Sequence, residues 1–417
     1  ILWPGRCTNF AQSSGTSDGK SKYIPVTPDS FSSNHYRGGS DVVSFYLRAY
    51  PDSRIFSGKA FLLGGSLANE LAIPKGVCVG DLSANLIDHI NPAANLVRIP
   101  SKQVALMADW TRKLPALIES SLHQDVTNIS GVPSWFLTVL KGVIERAGAT
   151  TIHDVWPHLE VFFHGGIAFG PYREQYRHIT DPSRMRYLET YNASEGFFAV
   201  QNDPTDPAML LLLDEGVFYE FVPIDQAGEE YPEALPAWQV EQGKVYALLI
   251  TAPNGLWRFP IGDTVRIESV NPLKITIAGR TRHYINAFGE EVMVYNTDRA
   301  LIAASQATGA QPLNYTAAPV FAGDHSRGRH QWIIEFSQAP ADLAQFAQEL
   351  DKALQNENSD YQAKRTGNIF LDPLEVIPAP AGTFDRWLAS TGKLGGQRKV
   401  PRLSNDRTLI DSILQFL

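Results

Sequence analysis

Small hydroxyl residues crowd between glycines and lysines in the stretch AQSSGTSDGKSKYIP, residues 11–25. Ser13, Ser14, Gly15, Thr16, Ser17 and Gly19 leave the backbone uncrowded, so hydroxyls and successive N–H groups can close around a polyanion. Lys20 and Lys22 add point charges for the same oxygens. The stretch reads as a loop that holds a triphosphate. A solvated Ser/Gly turn has the same composition. Phe10 before it and Tyr23-Ile24 after it argue for a strand on each side, and hence for a tight connection. Gly15-x-x-x-Gly19-Lys20-Ser21 falls one residue short of the ATPase P-loop. That motif opens a helix, whereas Pro25 and Pro28 follow here, and proline disfavours helical geometry in the residue before it.

Four further sites carry candidate chemistry. Tyr191–Gly196, YNASEG, puts Glu195 in a tight turn at a strand end, where a carboxylate can hold Mg²⁺ together with phosphates and water. A solvated surface turn fits the same residues. Gly262-Asp263 follows LWRFPI, and a carboxylate at such an edge can take both ribose hydroxyls; a plain turn aspartate fits equally. Gly279-Arg280-Thr281-Arg282 marks either a hinge or an ordinary linker. GGQRKVPR, residues 395–402, is a glycine-rich basic loop whose Lys399 can reach a phosphate in one arrangement and withdraw in another. His153, His158 and His164 lack metal-ligand spacing and read as structural. No Gly-x-Ser-x-Gly nucleophile turn occurs, and neither cysteine sits in a nucleophile signature.

Elements of mixed type must position these residues. Helical periodicity covers 29–50, a stretch from Ser101 through SSL, and a stretch after Ser134 ending at Gly148. KAFLL (59–63), LEVFF (159–163) and RYLET (186–190) read as buried strands, the second leading into His164-Gly165-Gly166. A short helix is expected near Pro171–Arg177. Strand–loop–helix alternation of this kind implies an α/β layer fold with functional loops at the carboxyl ends of the strands. Beyond residue 205 the texture turns β-rich. Hairpins are expected for 209–213 with 217–222, around Asp214-Glu215-Gly216, and for 244–250 with 256–259, around Pro253-Asn254-Gly255. This region is expected to be antiparallel and packed beside the α/β layers. From about residue 280 a small α+β unit begins: helix 290–307, strands 313–321 and 330–336, helix 340–355, and an edge strand 369–377 containing Pro373. The tail adds helices around the basic loop.

The chain has 417 residues, 44% hydrophobic and 19% charged, enough for two or more folded domains. A formal net charge of −8 excludes non-specific nucleic-acid binding, which rests on summed phosphate neutralisation. No stretch has the length of a membrane span, and no signal peptide is visible. Two cysteines, Cys7 and Cys78, give neither a disulfide framework nor zinc spacing. A reducing, cytoplasmic setting is expected. The sequence opens on Ile1 inside what reads as structured chain, so a preceding segment is expected.

In order, SSGTSDGKSKYIP, FFHGGIAFGPY, YNASEG, RFPIGD, GRTRHYINAFGEE and GKLGGQRKVPRL resemble the Gretchen Hagen three family of acyl acid–amido synthetases, in its bacterial form, within the adenylate-forming superfamily of luciferases and acyl-coenzyme A ligases. The resemblance runs from Trp3 to about Arg407. It implies an α/β architecture with a large N-terminal domain, 1–279, and a small mobile C-terminal domain, 280–417. It implies ATP-dependent activation of a carboxylic acid, with ATP and Mg²⁺ as cofactors and an amine, an amino acid, as acceptor. By motif, Ser13 to Lys22 hold the triphosphate, Tyr191, Ala193, Ser194 and Arg280 line the nucleotide site, Glu195 meets Mg²⁺, Asp263 binds the ribose and Lys399 assists adenylation. Because it follows a central strand, the stretch His164–Tyr172, with His164, Gly165, Gly166 and Phe169, is expected to form one wall of the acyl pocket. Plant members carry a lysine shortly after the hinge, where Ala287-Phe288-Gly289-Glu290-Glu291 offers none. Two other readings stay open: transfer of the acyl group to coenzyme A, and a non-catalytic nucleotide- or acyl-binding protein. The acid, the acceptor and the oligomeric state are not readable here.

Overall fold

The computed structural model describes residues 5–13, 22–68, 71–166, 169–280, 284–285, 287–288, 290, 292–321, 328–365, 371–391, 399–404 and 406–417. Among these, strands Arg98–Ile99, Lys59–Leu62, Val126–Gly131, Val161–Gly165 and Arg186–Ala193 lie side by side and parallel. Parallel neighbours need a crossover. Helix Pro133–Ala147, which ends at Gly148, supplies one between Val126–Gly131 and Val161–Gly165. Its Phe136 and Val143 bury against Phe61, Trp156 and Phe162 on one face of the sheet. Helix Tyr36–Ala49 covers the other face, where Val42 and Tyr46 meet Phe163, Leu188 and Val200. Helices on both faces give the expected α/β layers.

The β-rich region does not form a separate layer beside them. At Ser194-Glu195 the chain reverses, and Gly196–Val200 pairs antiparallel with Arg186–Ala193. Strands Met209–Leu211, Leu273–Arg280, Phe259–Val270, Val245–Thr251, Phe218–Pro223 and Leu235–Pro236 then extend the same sheet to twelve strands. The hairpin around Pro253-Asn254-Gly255 forms, with Ile250 opposite Phe259. The one expected around Asp214-Glu215-Gly216 does not. Met209–Leu211 pairs with Gly196–Val200 and Leu273–Arg280, and Phe218–Pro223 pairs with Val245–Thr251. The intervening turn is held elsewhere: Asn34 Nδ2 donates to the Glu215 carbonyl at 3.1 Å, tying it to the segment before helix Tyr36–Ala49.

The helix expected to run on from Ser101 is two helices, Lys102–Ala105 and Trp110–Ser121. The Asp109 carbonyl starts the second by accepting from Lys113 N. Lys113 Nζ then donates to the carbonyls of Gly64 and Gly65 at 2.7 and 2.9 Å, fixing that helix over a strand end.

The smaller C-terminal unit stacks helices Val294–Thr308 and Leu343–Glu357 on a sheet ordered Gln311–Val320, Arg329–Gln338, Glu375–Ala379. Asp342 caps the second helix, accepting from Ala344 N and Gln345 N. Its Phe346, Leu350 and Leu354 stripe buries against Tyr315 and Trp332. Pro373 precedes the last strand, which lies at the sheet edge and runs parallel to its neighbour. A further helix, Ser359–Arg365, has no apolar stripe in the sequence; it is held by Arg365, which forms a buried pair with Asp351 at 2.8 Å. Among the described residues no helix is long and apolar enough to cross a membrane.

Glu215 is fully buried, with its Oε2 in the space beside Gly38. Burial first, and Asp41 beside it second, push its carboxyl from an ordinary 4.5 up to about 8. The folded state therefore keeps a proton that the unfolded chain loses, and stability falls as pH rises through that interval. Thermal melting of the unaltered chain should drop between pH 5 and pH 8 by more than that of Glu215→Gln; equal slopes would contradict the assignment.

Candidate active site

A continuous space of about 3720 Å³ runs along much of the fold and takes in the carboxyl ends of the parallel strands. Strand Val161–Gly165 delivers His164, Gly165 and Gly166 to it, and Arg186–Ala193 delivers Tyr191 and Ala193. Ligands bind at such ends because the loops there converge without closing the sheet. The Ser194-Glu195 hairpin turn forms the next wall. Asn254 Nδ2 donates to the Glu195 carbonyl at 3.0 Å, and Asn34 brackets the following residue, donating to Phe197 O at 2.9 Å and accepting from Phe197 N at 2.7 Å. Both asparagines are buried, as is Glu195 at 8% exposure. Buried polar groups paired in this way hold the turn in one geometry.

Asp263 comes from strand Phe259–Val270, on the antiparallel side. It is 6% exposed, and the Tyr191 hydroxyl donates to its Oδ2 at 2.7 Å. One hydrogen bond thus joins the two halves of the sheet at the cleft floor. Arg280 lies opposite Asp263 in the strand register. From the C-terminal unit, Lys399 enters the same cleft. Gly166 has φ of +81°, and a Cβ there would lie 3.2 Å from Lys399 Nζ. Glycine both permits that backbone and leaves room for the ammonium group.

His164 stacks on Phe169 at 4.3 Å and is buried. Burial, reinforced by the nearby Arg173 charge, holds its imidazole down at about 3, so the ring is neutral. Its register partner Glu189 also lines the cleft. Burial pushes that carboxyl up to about 7, with Arg173 opposing.

Of the described site residues named from sequence, Lys22, His164, Gly165, Gly166, Phe169, Tyr191, Ala193, Ser194, Glu195, Asp263 and Lys399 line this one space, while Ser13 and Arg280 are placed by strand register alone. Ser14, Gly15, Thr16, Ser17 and Gly19 lie outside the described residues. The strands around them are described: Asn9–Ser13 pairs antiparallel with Lys22–Pro25, Ser13 opposite Lys22. A strand, not a helix, follows Lys20-Ser21, which removes the P-loop reading. Lys22 Nζ sits over the Phe259 ring at 5.7 Å. His153 is structural as expected: Nε2 faces Leu159 O and Nδ1 accepts from Asp181 N, both at 2.9 Å. Sequence reasoning missed Asn34, Asn254 and Glu189. Asn254 carried a signal only as a turn residue, Glu189 only as a charge inside an apolar strand, and Asn34 none.

The structure aligns with an acyl acid amido synthetase, AtGH3.15 in complex with 2,4-DB, at a TM-score of 0.77 and 16% identity, covering 99% of this chain and 82% of that one. It aligns with a 2-hydroxyisobutyryl-CoA ligase in the postadenylation state at 0.56 and 12% identity, covering 98% and 76%. The fold is that of adenylate-forming enzymes. Models of the GH3 family N-terminal, central and C-terminal domains match residues 1–185, 210–280 and 295–408 in turn. The chain belongs to the GH3 family. It is 26% identical over 300 residues to jasmonoyl–L-amino acid synthetase GH3.5 of Oryza sativa subsp. japonica, covering 64% of this chain and 49% of that protein. It is 24% identical over 275 residues to indole-3-acetic acid-amido synthetase GH3.4 of Arabidopsis thaliana, covering 60% and 45%. The chain spans about half the length of the curated relatives it matches.

The neutral state of His164 is directly measurable. Its imidazole nitrogen shifts in NMR should stay those of a neutral ring from pH 8 down to pH 4, because its midpoint lies near 3. A midpoint near the ordinary 6.5 would place the ring in water.

Proposed function

We propose that this chain activates a carboxylic acid with ATP and passes the acyl group to an amino acid, forming an amide and releasing AMP. The observation that carries this reading is the meeting, in one cleft of a GH3-family fold, of the Tyr191–Asp263 pair, the buried Glu195 turn and Lys399 from the C-terminal unit. The named relatives are a jasmonoyl–L-amino acid synthetase and an indole-3-acetic acid-amido synthetase.

The residues divide the work. Asp263, aimed by Tyr191, takes the ribose hydroxyls, and Arg280, Ala193 and Ser194 border the nucleotide. The loop from Ser13 to Lys22 holds the phosphates. The acid lies against His164, Gly165, Gly166 and Phe169, an aromatic wall whose neutral histidine adds no competing charge. Its carboxylate attacks the α-phosphorus and pyrophosphate departs; no covalent enzyme nucleophile is needed. Lys399 stabilises the negative charge that builds on the phosphate oxygens, a contribution that is large where water is excluded. Alignment of the reactants supplies much of the rest. Among the described residues no group of three or more His, Cys, Asp or Glu could form a metal cage. Mg²⁺ takes most of its ligands from phosphate and water and does not need such a cage. Glu195 would hold it there, and the ion would supply charge neutralisation.

The division into 1–279 and 280–417, with rotation about Gly279–Arg282 between the two half-reactions, belongs to the same proposal. So does a cytoplasmic setting, with which the two unpaired cysteines agree.

The test is carboxylate-dependent exchange of labelled pyrophosphate into ATP, over a panel of aromatic and aliphatic acids that includes indole-3-acetate and jasmonate. Mass spectrometry then identifies the final product with amino acids or coenzyme A supplied. Exchange and an amide are expected; a thioester, or ATP binding with no exchange by any acid, would overturn the reading. Lys399→Ala should slow exchange about 100-fold, the scale of losing one oxyanion donor, with the KM for ATP little changed. Asp263→Ala should instead raise the KM for ATP about tenfold or more, the scale of lost hydrogen bonds to a charged group.

A further inference from the structure

The contact between the two units has its own chemistry. Tyr172 ends a short turn of helix, Gly170–Tyr172, which directly follows Phe169 of the proposed acyl wall. Its side chain is 3% exposed. The hydroxyl crosses to the C-terminal unit and donates to the Leu313 carbonyl at 3.1 Å. Leu313 falls at a register shift in strand Gln311–Val320: Pro312 faces Phe336 and Asn314 faces Glu335, leaving Leu313 without a cross-strand partner. Bulges re-aim groups out of the ladder, and here the carbonyl meets Tyr172.

Arg402, three residues beyond Lys399, lies at the same junction. Its half-buried side chain lies beside Tyr172, Tyr315 and Asp298, donates to Asn314 Oδ1 at 2.8 Å, and stacks over the Tyr315 ring at 4.5 Å. The backbone between Lys399 and Arg402 is stitched to the same strand: Thr316 Oγ1 donates to Pro401 O and Ala317 N to Arg402 O, both at 2.8 Å. Alongside, Gly170 makes room for Ile302 of helix Val294–Thr308; a Cβ there would lie 2.5 Å from Ile302 Cδ1.

We propose that Tyr172 is a positioning residue that latches the C-terminal unit in the orientation where Lys399 reaches Gly166, and so serves acid activation and not amide formation. The inference rests on the ligase reading above. The latch joins the acyl wall to the lysine segment: Phe169, stacked on His164, is three residues from Tyr172, and Tyr172 meets Arg402, three residues from Lys399. Breaking it leaves every nucleotide contact in place but lowers the population of the arrangement that brings Lys399 in. Rotation away from that arrangement becomes easier.

Two variants test this. Tyr172→Phe deletes only the hydroxyl. Ile302→Trp wedges the units apart at Gly170 from the other side. Each is checked by circular dichroism and melting, then assayed for both half-reactions: pyrophosphate exchange with the best acid of the panel, and amide formation from the preformed acyl-adenylate of that acid with mixed amino acids. Both variants should slow exchange about fivefold to tenfold, the scale of one hydrogen bond, while amide formation stays within about twofold, since that step does not draw on the latch. Equal loss in both half-reactions, or loss in neither, would overturn the latch while leaving the ligase reading intact. Absence of exchange by the unaltered protein would remove both.

Discussion

A single hairpin turn, Ser194-Glu195, sits where a parallel sheet becomes antiparallel, and the cleft depends on it. The parallel strands all end at one edge, which gathers their loops. The antiparallel strands carry Asp263 back to the same edge. Only a tight reversal keeps both sets in register, and Asn34 and Asn254 hold that reversal from outside the sheet. The Tyr191–Asp263 hydrogen bond closes the join, one partner from each half. Losing either asparagine would leave buried carbonyl or N–H groups unpaired, a costlier change than losing an exposed hydrogen bond.

A second layer of order comes from the C-terminal unit. Its own core is built on Tyr315, Trp332 and the Phe346–Leu350–Leu354 stripe. Its contacts with the large unit include, among the described residues, a tyrosine hydroxyl on a bulged carbonyl, a half-buried arginine beside that tyrosine, an isoleucine facing a glycine, and Lys399 beside Gly166. Contacts of this kind can be made and broken without disturbing either core, which a hinged ligase of two half-reactions would require.

Much of this was legible in the sequence. Apolar runs such as LEVFF and the stripe of helix Leu343–Glu357 announce elements because their periodicity is local. The candidate site was named through the family resemblance that the order of the motifs carried, because each motif alone fits a solvated turn as well as a binding loop. The failures share a cause. The Asp214-Glu215-Gly216 turn has hairpin chemistry, yet its flanking strands pair elsewhere, since Asn34 far along the chain claims the turn. The stretch from Ser101 divides into two helices, and the second is fixed by Lys113, which donates to glycine carbonyls distant in sequence. The β-rich half continues the sheet because of one reversal that local pattern treats as any other turn. Asn34, Asn254 and Tyr172 act through partners distant in sequence, which periodicity cannot report.

The central claim is that one cleft, between the Tyr191–Asp263 pair and Lys399, holds an acyl-adenylate. A crystal structure of the protein with an N-acylsulfamoyl adenosine, a non-hydrolysable stand-in for that intermediate, tests it most directly. The account predicts the ribose on Asp263, the acyl group against His164 and Phe169, and the sulfamate within reach of Lys399. An analogue bound elsewhere, or with its ribose away from Asp263, would contradict it.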